Sequence, residues 1–295
     1  MGTMGREKGA AMTERMVEVD GVELCTESFG DPSDPPVLLI MGTGASMLWW
    51  DEGFCRMLVE GGCFVIRYDH RDTGRSTTCE PGRPGYTGAD LVEDAVRVLD
   101  AHELRAAHVV GVSAGGALGQ LLALHHADRV LSLVLISTSF AVPGDRDLPS
   151  PAEEFVRFVS AAHVDWSDGE SVIEHQVAYA RALAGGRRPF DEAATRALVL
   201  HDIERAHDFA AVRNHDSLPD GDLSQAHLSS IAVPTLVIHG TADPVFPLRH
   251  GQALAEQIPG ARLLALEDAG HGVERADRST IAAAILEHTA ADTAD

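Results

Sequence analysis

The sequence predicts an α/β fold, a mostly parallel eight-stranded sheet with helices on both faces and a helical lid inserted late in the chain. Three observations carry this prediction. Short apolar runs alternate with longer helix-forming stretches up to residue 140, the alternation resumes at 234, and Gly111-Val-Ser-Ala-Gly115 stands where one run meets one helix. Such alternation calls for right-handed crossovers that cover both faces of the sheet.

The elements follow in order. Residues 1–12 lack the apolar segment of a secretory signal and read as a disordered leader. Residues 16–20 and 22–29 alternate apolar and polar side chains around Asp20-Gly21, a hairpin pattern. The run Gly30-Asp-Pro-Ser-Asp-Pro-Pro36 breaks the chain, and Val37 to Met41 is continuously apolar, as a strand buried on both faces must be. A helix around 48–60, a strand at 63–68, a helix at 88–102, a strand at 107–111, a helix at 114–126 and a strand at 130–136 complete the first part. Between Phe140 and Ile231 the strand signal vanishes, and a helical stretch takes its place, broken at Pro143-Gly144 and Gly185-Gly186. A strand at 234–239, a helix at 247–258, a strand at 262–266 and a helix at 277–289 close the chain. The core is therefore 13–140 with 231–295, and 141–230 is the lid.

Composition narrows the function. With 295 residues, 45% of them hydrophobic, the chain can bury a full core. No stretch of about 18 uncharged apolar residues occurs, so no membrane partner and a cytoplasmic location are expected. A formal charge of −22 opposes binding to nucleic acid or anionic lipid. Cysteines 25, 55, 63 and 79 form no C-x-x-C pair and no zinc spacing, so reduced thiols and no metal are expected. Lys8 is the sole lysine and lies in the leader, which excludes Schiff-base chemistry, a pyridoxal phosphate anchor and a Walker A site. No cofactor is expected, and the protein is read as a monomer or homodimer acting on a small molecule.

Gly111-Val-Ser-Ala-Gly115 is a nucleophile elbow. A serine in the tight turn from a buried strand into a helix projects its hydroxyl above the sheet, and glycines two residues to either side let the backbones pass that closely. A serine hydroxyl attacks at neutral pH only if an imidazole takes its proton, and the imidazole needs a carboxylate to fix its tautomer. The chain order Ser, acid, His is the order used with this elbow, and it selects Ser113, Asp243 and His271 as catalytic. Asp243 follows strand 234–239, and His271 follows strand 262–266 between glycines. Both thus fall at the carboxyl ends of strands, where ligands bind in open α/β sheets. Glu267 and Asp268 are the alternative acids, and position after the penultimate strand selects Asp243. The oxyanion hole is read as the N–H groups of Ala114 and of Thr43, with Gly42 letting the turn approach the substrate.

Two further groups have competing readings. Asp69-His-Arg-Asp-Thr-Gly-Arg-Ser76 tempts a second active site, but Arg71, Asp72 and Arg75 read better as a buried hydrogen-bonded brace. The lid carries Phe155, Phe158, Trp166, Tyr179, Phe190 and Phe209 with His163, His175, His201 and His215. Packing of the lid's own core accounts for most of them, while Gly42, Phe140, Phe155, Phe158 and Trp166 are the candidates to line a substrate pocket.

Met41-Gly-Thr-Gly44, Tyr68 to Ser76, Gly111 to Gly115, His239-Gly-Thr-Ala-Asp243 and Gly270-His271 together resemble the α/β-hydrolase superfamily after Val17. Gly30-Asp-Pro-x-Asp-Pro35 and Ile66 to Thr78 resemble its aclacinomycin methylesterase-like subgroup, whose members remove a methyl ester from a polyketide. The resemblance implies a cofactor-free carboxylesterase working through an acyl-enzyme. Two positions depart from common patterns: Ala114 stands where that subgroup usually has methionine, and Met41 where the superfamily commonly has histidine. A Ser-His-Asp constellation does not encode the leaving group, so thioester, lactone or peracid chemistry, or a ligand-binding relative with little turnover, stay open at this level.

Overall fold

The computed structural model describes residues 14–142, 147–219 and 226–290; the leader expected at 1–12 and the break at Pro143-Gly144 lie outside them. Strands β1 (Arg15–Val19) and β2 (Val22–Phe29) form the expected antiparallel hairpin. Its turn residues Asp20 and Gly21 both have positive φ, at 54° and 79°, as a two-residue hairpin turn of the primed type requires. Then come β3 (Pro36–Ile40), α1 (Glu52–Glu60), β4 (Phe64–Tyr68), α2 (Gly88–Ala101), β5 (Ala107–Val112), α3 (Ala114–His125) and β6 (Val130–Ile136). Helices α4 (Glu153–Ala161), α5 (Gly169–Leu183) and α6 (Glu192–Arg205) and a 3-10 segment Phe209–Ser217 occupy the stretch without strand signal. The chain closes with β7 (Thr235–Gly240), α7 (Arg249–Gln257), β8 (Arg262–Leu266) and α8 (Arg278–Ala290).

One expected helix is divided. The stretch 48–60 holds a 3-10 turn, Met47–Trp49, capped by the Ser46 side chain, and then α1, capped afresh by Asp51, whose carboxylate accepts from the Phe54 N–H at 3.2 Å. A polar side chain that satisfies an orphan N–H starts a helix where apolar periodicity alone would run straight through.

The eight strands lie in the order β1-β2-β4-β3-β5-β6-β7-β8, and all neighbours from β4 to β8 are parallel. Successive residues of one strand serve opposite faces. Leu38, Ile40, Val109, Leu133 and Leu135 pack in one apolar layer with Leu91, Val98 and Leu99 of α2 and Leu118, Leu121 and Leu122 of α3. Val37, Leu39, Val110, Val112, Val134 and Ile136 pack in the other with Phe54 and Leu58 of α1 and Ile281 and Ile285 of α8. Burial on both faces is why these strands read as unbroken apolar runs rather than as alternation.

The strand order reverses direction at β3. The chain steps from β3 outward to β4, then crosses back to β5 on the other side and continues away from it. The connections leaving β3 and β5 therefore diverge to opposite faces and open a crevice at their carboxyl ends. Ile40 of β3 pairs with Gly111 of β5, which brings the residues just beyond them, Gly42 and Ser113, side by side.

That juxtaposition is possible only without side chains. A Cβ on Gly115 would lie 2.2 Å from the Ile40 carbonyl oxygen, and one on Gly111 would lie 2.2 Å from the Gly115 carbonyl oxygen. Both obstacles are backbone and cannot rotate away. We expect Gly115→Ala to cost at least about 3 kcal/mol of unfolding free energy, the upper end for overpacking a rigid site. Gly169→Ala, where a Cβ meets nothing within 4 Å, should change it by no more than about 0.5 kcal/mol. Urea unfolding midpoints of the two variants compare them directly.

Candidate active site

Ser113 ends β5 and begins α3 with φ 53° and ψ −120°, a conformation that a residue with a Cβ rarely adopts. Such strain costs about 1–3 kcal/mol and persists only when the surroundings over-determine it. Here they do so through the backbone. The Ser113 N–H donates to the Ile136 carbonyl at 2.9 Å, while its own carbonyl accepts from Gly116 N–H at 2.9 Å and from the Thr138 hydroxyl at 2.7 Å.

Asp243 and His271 leave the ends of β7 and β8 and meet there. His271 Nδ1 lies 2.9 Å from one Asp243 carboxylate oxygen and 3.1 Å from the other, so the ring donates through Nδ1 and its Nε2 is left as the acceptor. The carboxylate also accepts from the Val245 and Phe246 N–H groups, each at 2.9 Å. Burial by itself would raise the Asp243 pKa, but the hydrogen bond and charge of His271, the nearby His239 and the Phe246 N–H outweigh it and hold the carboxyl below its ordinary range. The alternative acids Glu267 and Asp268 are exposed. His239, fully buried, stands behind Asp243 with Nε2 donating to the Phe246 carbonyl at 2.6 Å, and burial lowers its pKa.

Among the described residues the side-chain hydrogen bonds of His271 run to Asp243, and none joins it to the Ser113 hydroxyl in this conformation. The two loops are nonetheless linked, because Gly272 N–H donates to the hydroxyl of Ser137, the residue after Ile136, at 3.0 Å. Contacts of this kind are often loose without substrate and tighten around it.

The turn Met41 to Gly44 faces the elbow. A Cβ on Gly42 would come 3.2 Å from the Ser113 Cβ. Among the described residues the N–H groups of Thr43 and Ala114 donate to no protein acceptor, which leaves two donors free beside the serine. With a serine, an imidazole hydrogen-bonded to a carboxylate and two free N–H groups, this strand edge has the parts that acyl transfer needs.

The polar loop after β4 is a brace, with one correction. Arg71 makes a bidentate pair with buried Asp94 at 2.7 and 2.8 Å, and the Asp72 carboxylate accepts from Tyr86 at 2.7 Å and Asn214 at 2.8 Å. Arg75, expected inside, has a side chain 52% exposed and pairs with Glu14. Its place is taken by Arg205 of α6, 2.6 Å from Asp69, whose guanidinium lies where a Cβ of Gly74 would be.

The stretch between β6 and β7 touches this edge at places that its own sequence does not advertise. At the end of α5 the Leu183 carbonyl accepts from His271 N–H at 2.8 Å, and Gly185, at φ 69°, passes so close that a Cβ would lie 2.3 Å from the Ala242 carbonyl oxygen. In the 3-10 segment His215 accepts from Gly44 N–H. The aromatic candidates make contacts of their own. Phe155 and Phe158 stand 6.0 and 6.4 Å from Tyr179, Trp166 stands 6.4 Å from His175, and Phe140 packs against the layer of α2 and α3. The ring that meets the imidazole is Phe246, 5.7 Å from His271, a residue that no sequence pattern singled out.

The sequence matches the family described as alpha/beta hydrolase fold over residues 35–171 and that described as TAP-like protein over residues 212–289. It is 38% identical to the rhodomycin D methylesterase DnrP of Streptomyces peucetius, over 96% of this chain and all of that protein. Among solved structures, a hydrolase from Pseudomonas aeruginosa PA01 matches with a TM-score of 0.65 and 29% identity, covering 96% of this chain and 98% of that one. The esterase RhEst1 from Rhodococcus sp. ECU1013 shares the fold with a TM-score of 0.74 and 24% identity, covering 95% and 99%.

The depressed pKa of Asp243 has a stability consequence. Its folded value lies below its unfolded one, so its contribution is complete above the ordinary carboxylate range and is lost as pH falls through the folded value. The unfolding free energy of the native protein should exceed that of Asp243→Asn at about pH 5, above the ordinary carboxylate range. The gap should then narrow below about pH 4, as urea unfolding at a series of pH values reports.

Proposed function

The chain belongs to the α/β-hydrolase fold family, and on that premise we propose that it hydrolyses the methyl ester of a polyketide-type carboxylic acid, with Ser113, Asp243 and His271 as its triad. Ester cleavage by a serine hydrolase is the activity its methylesterase relatives support. The strained elbow conformation of Ser113, at the same carboxyl edge of the sheet as the Asp243–His271 pair, is the observation that carries the assignment of the nucleophile.

His271 Nε2 takes the hydroxyl proton as Ser113 Oγ attacks the ester carbonyl. The oxyanion that forms is met by the N–H groups of Thr43 and Ala114, each worth about 3–4 kcal/mol when preorganised. Asp243 keeps Nδ1 protonated and balances the imidazolium charge. Collapse expels the alkoxide, which leaves as methanol with the proton from His271, and the acyl group remains on Ser113. Water, deprotonated by the same imidazole, then releases the acid and restores the serine. The stretch 141–230 serves as the lid over this edge, since α5 and the 3-10 segment reach the loops of His271 and Gly44.

Ser113→Ala should lower kcat on a methyl ester by at least about 10⁴-fold, and a fluorophosphonate should label the native protein but not the variant. Retention of turnover by Ser113→Ala removes the assignment. Across esters of one acid, the methyl ester should have a higher kcat/KM than its butyl and benzyl counterparts; the reverse order removes the methyl-ester reading and leaves the hydrolase.

A further inference from the structure

Two histidines outside the proposed triad hold the Met41 to Gly44 turn from either end. His70, in the loop after β4, has Nε2 2.9 Å from the Met41 carbonyl; a carbonyl only accepts, so Nε2 carries the ring proton. At the other end Gly44 N–H donates to His215 Nδ1 at 2.9 Å, and His215 Nε2 donates to the Arg71 carbonyl at 2.8 Å. Each ring is thereby fixed in one tautomer. The two rings meet edge to face with centroids 6.0 Å apart, and Tyr86 closes the far side of His215 at 6.5 Å.

The turn needs such support. Thr43 is flanked by Gly42 and Gly44, the latter at φ 66°, and the Thr43 side chain is exposed. Glycines on both sides leave the flanking peptide planes with little intrinsic preference, so the direction of the Thr43 N–H is set by the Ala45 N–H that donates to the Gly42 carbonyl at 3.3 Å and by what grips Met41 and Gly44. Preorganisation of such a donor matters because small misplacements cost rate rather than affinity. Both histidines must also stay neutral, since a proton on His215 Nδ1 would face the Gly44 N–H donor. Burial supplies this: it drives the His70 pKa down to about 4, aided by His215, and lowers that of His215 against the pull of Asp72 and Asp216.

We propose that His215 is a positioning residue for ester hydrolysis, aiming the Thr43 N–H by pinning Gly44, with His70 anchoring the Met41 end. This rests on the oxyanion role given to Thr43 above. A histidine that only satisfied buried backbone groups would affect stability without separating kcat from KM.

A crossed pair of variants separates the two. In His215→Asn the amide oxygen can occupy the place of Nδ1 and keep the Gly44 contact, whereas the amide of His215→Gln reaches the Arg71 carbonyl and gives up Gly44. With a methyl ester, the Gln variant should lose about 10–100-fold in kcat with KM unchanged within about twofold, and the Asn variant should stay within about threefold of native kcat. Should the Gln variant not fold, His215→Ala takes its place with the same split expected. Equal kcat in both variants, or a change confined to KM, overturns the proposal. Native protein that cleaves esters, an inert Ser113→Ala and unperturbed His215 variants would overturn this inference alone; native protein without ester turnover overturns the functional reading and this inference together.

Discussion

Everything at the strand edge depends on how closely the start of α3 approaches β3. The Gly115 Cα lies over the Ile40 and Met41 carbonyls with no room for a further carbon, and Gly111 faces the Gly115 backbone in the same way. This contact forces the left-handed turn at Ser113, brings Gly42 against it, and places the first N–H groups of a helix where negative charge can gather. The buried layers on the two faces supply the force that keeps the strained turn closed. Hydrophobic packing is thus converted into the direction of one hydroxyl.

The acid and the imidazole are set by a different kind of constraint. Hydrogen bonds hold their loops: Val245 and Phe246 N–H to Asp243, Leu183 carbonyl to His271 N–H, Ser137 hydroxyl to Gly272 N–H. The last two join segments far apart in the chain. The Asp243–His271 pair is accordingly built before any substrate arrives.

Much of this was legible in the sequence, and the reason is local. Strand runs, the Asp20-Gly21 turn and the elbow glycines each announce themselves within a few residues, because period and backbone freedom are properties of short stretches. The order of Ser113, Asp243 and His271 was legible because strand ends follow strands. What was not legible lies across the chain. Arg205 displaces Arg75 from the inner position beside Asp69, although the two residues are far apart in sequence and no pattern near either marks the exchange. His215 looks like any histidine in a helical stretch until the fold brings Gly44 to it. The same holds for Phe246 against His271 and for the Leu183 carbonyl.

The Leu183 to Gly185 corner has a bearing on how this protein could diversify. It belongs to the stretch between β6 and β7, yet it bears on the backbones at both Ala242 and His271. A change of specificity made by trading that stretch with a relative would also trade part of the scaffold beneath the imidazole. On the proposed roles, selectivity and proton handling are in this respect co-inherited, and a graft that leaves α5 and its glycine corner native retains the scaffold while varying the rest.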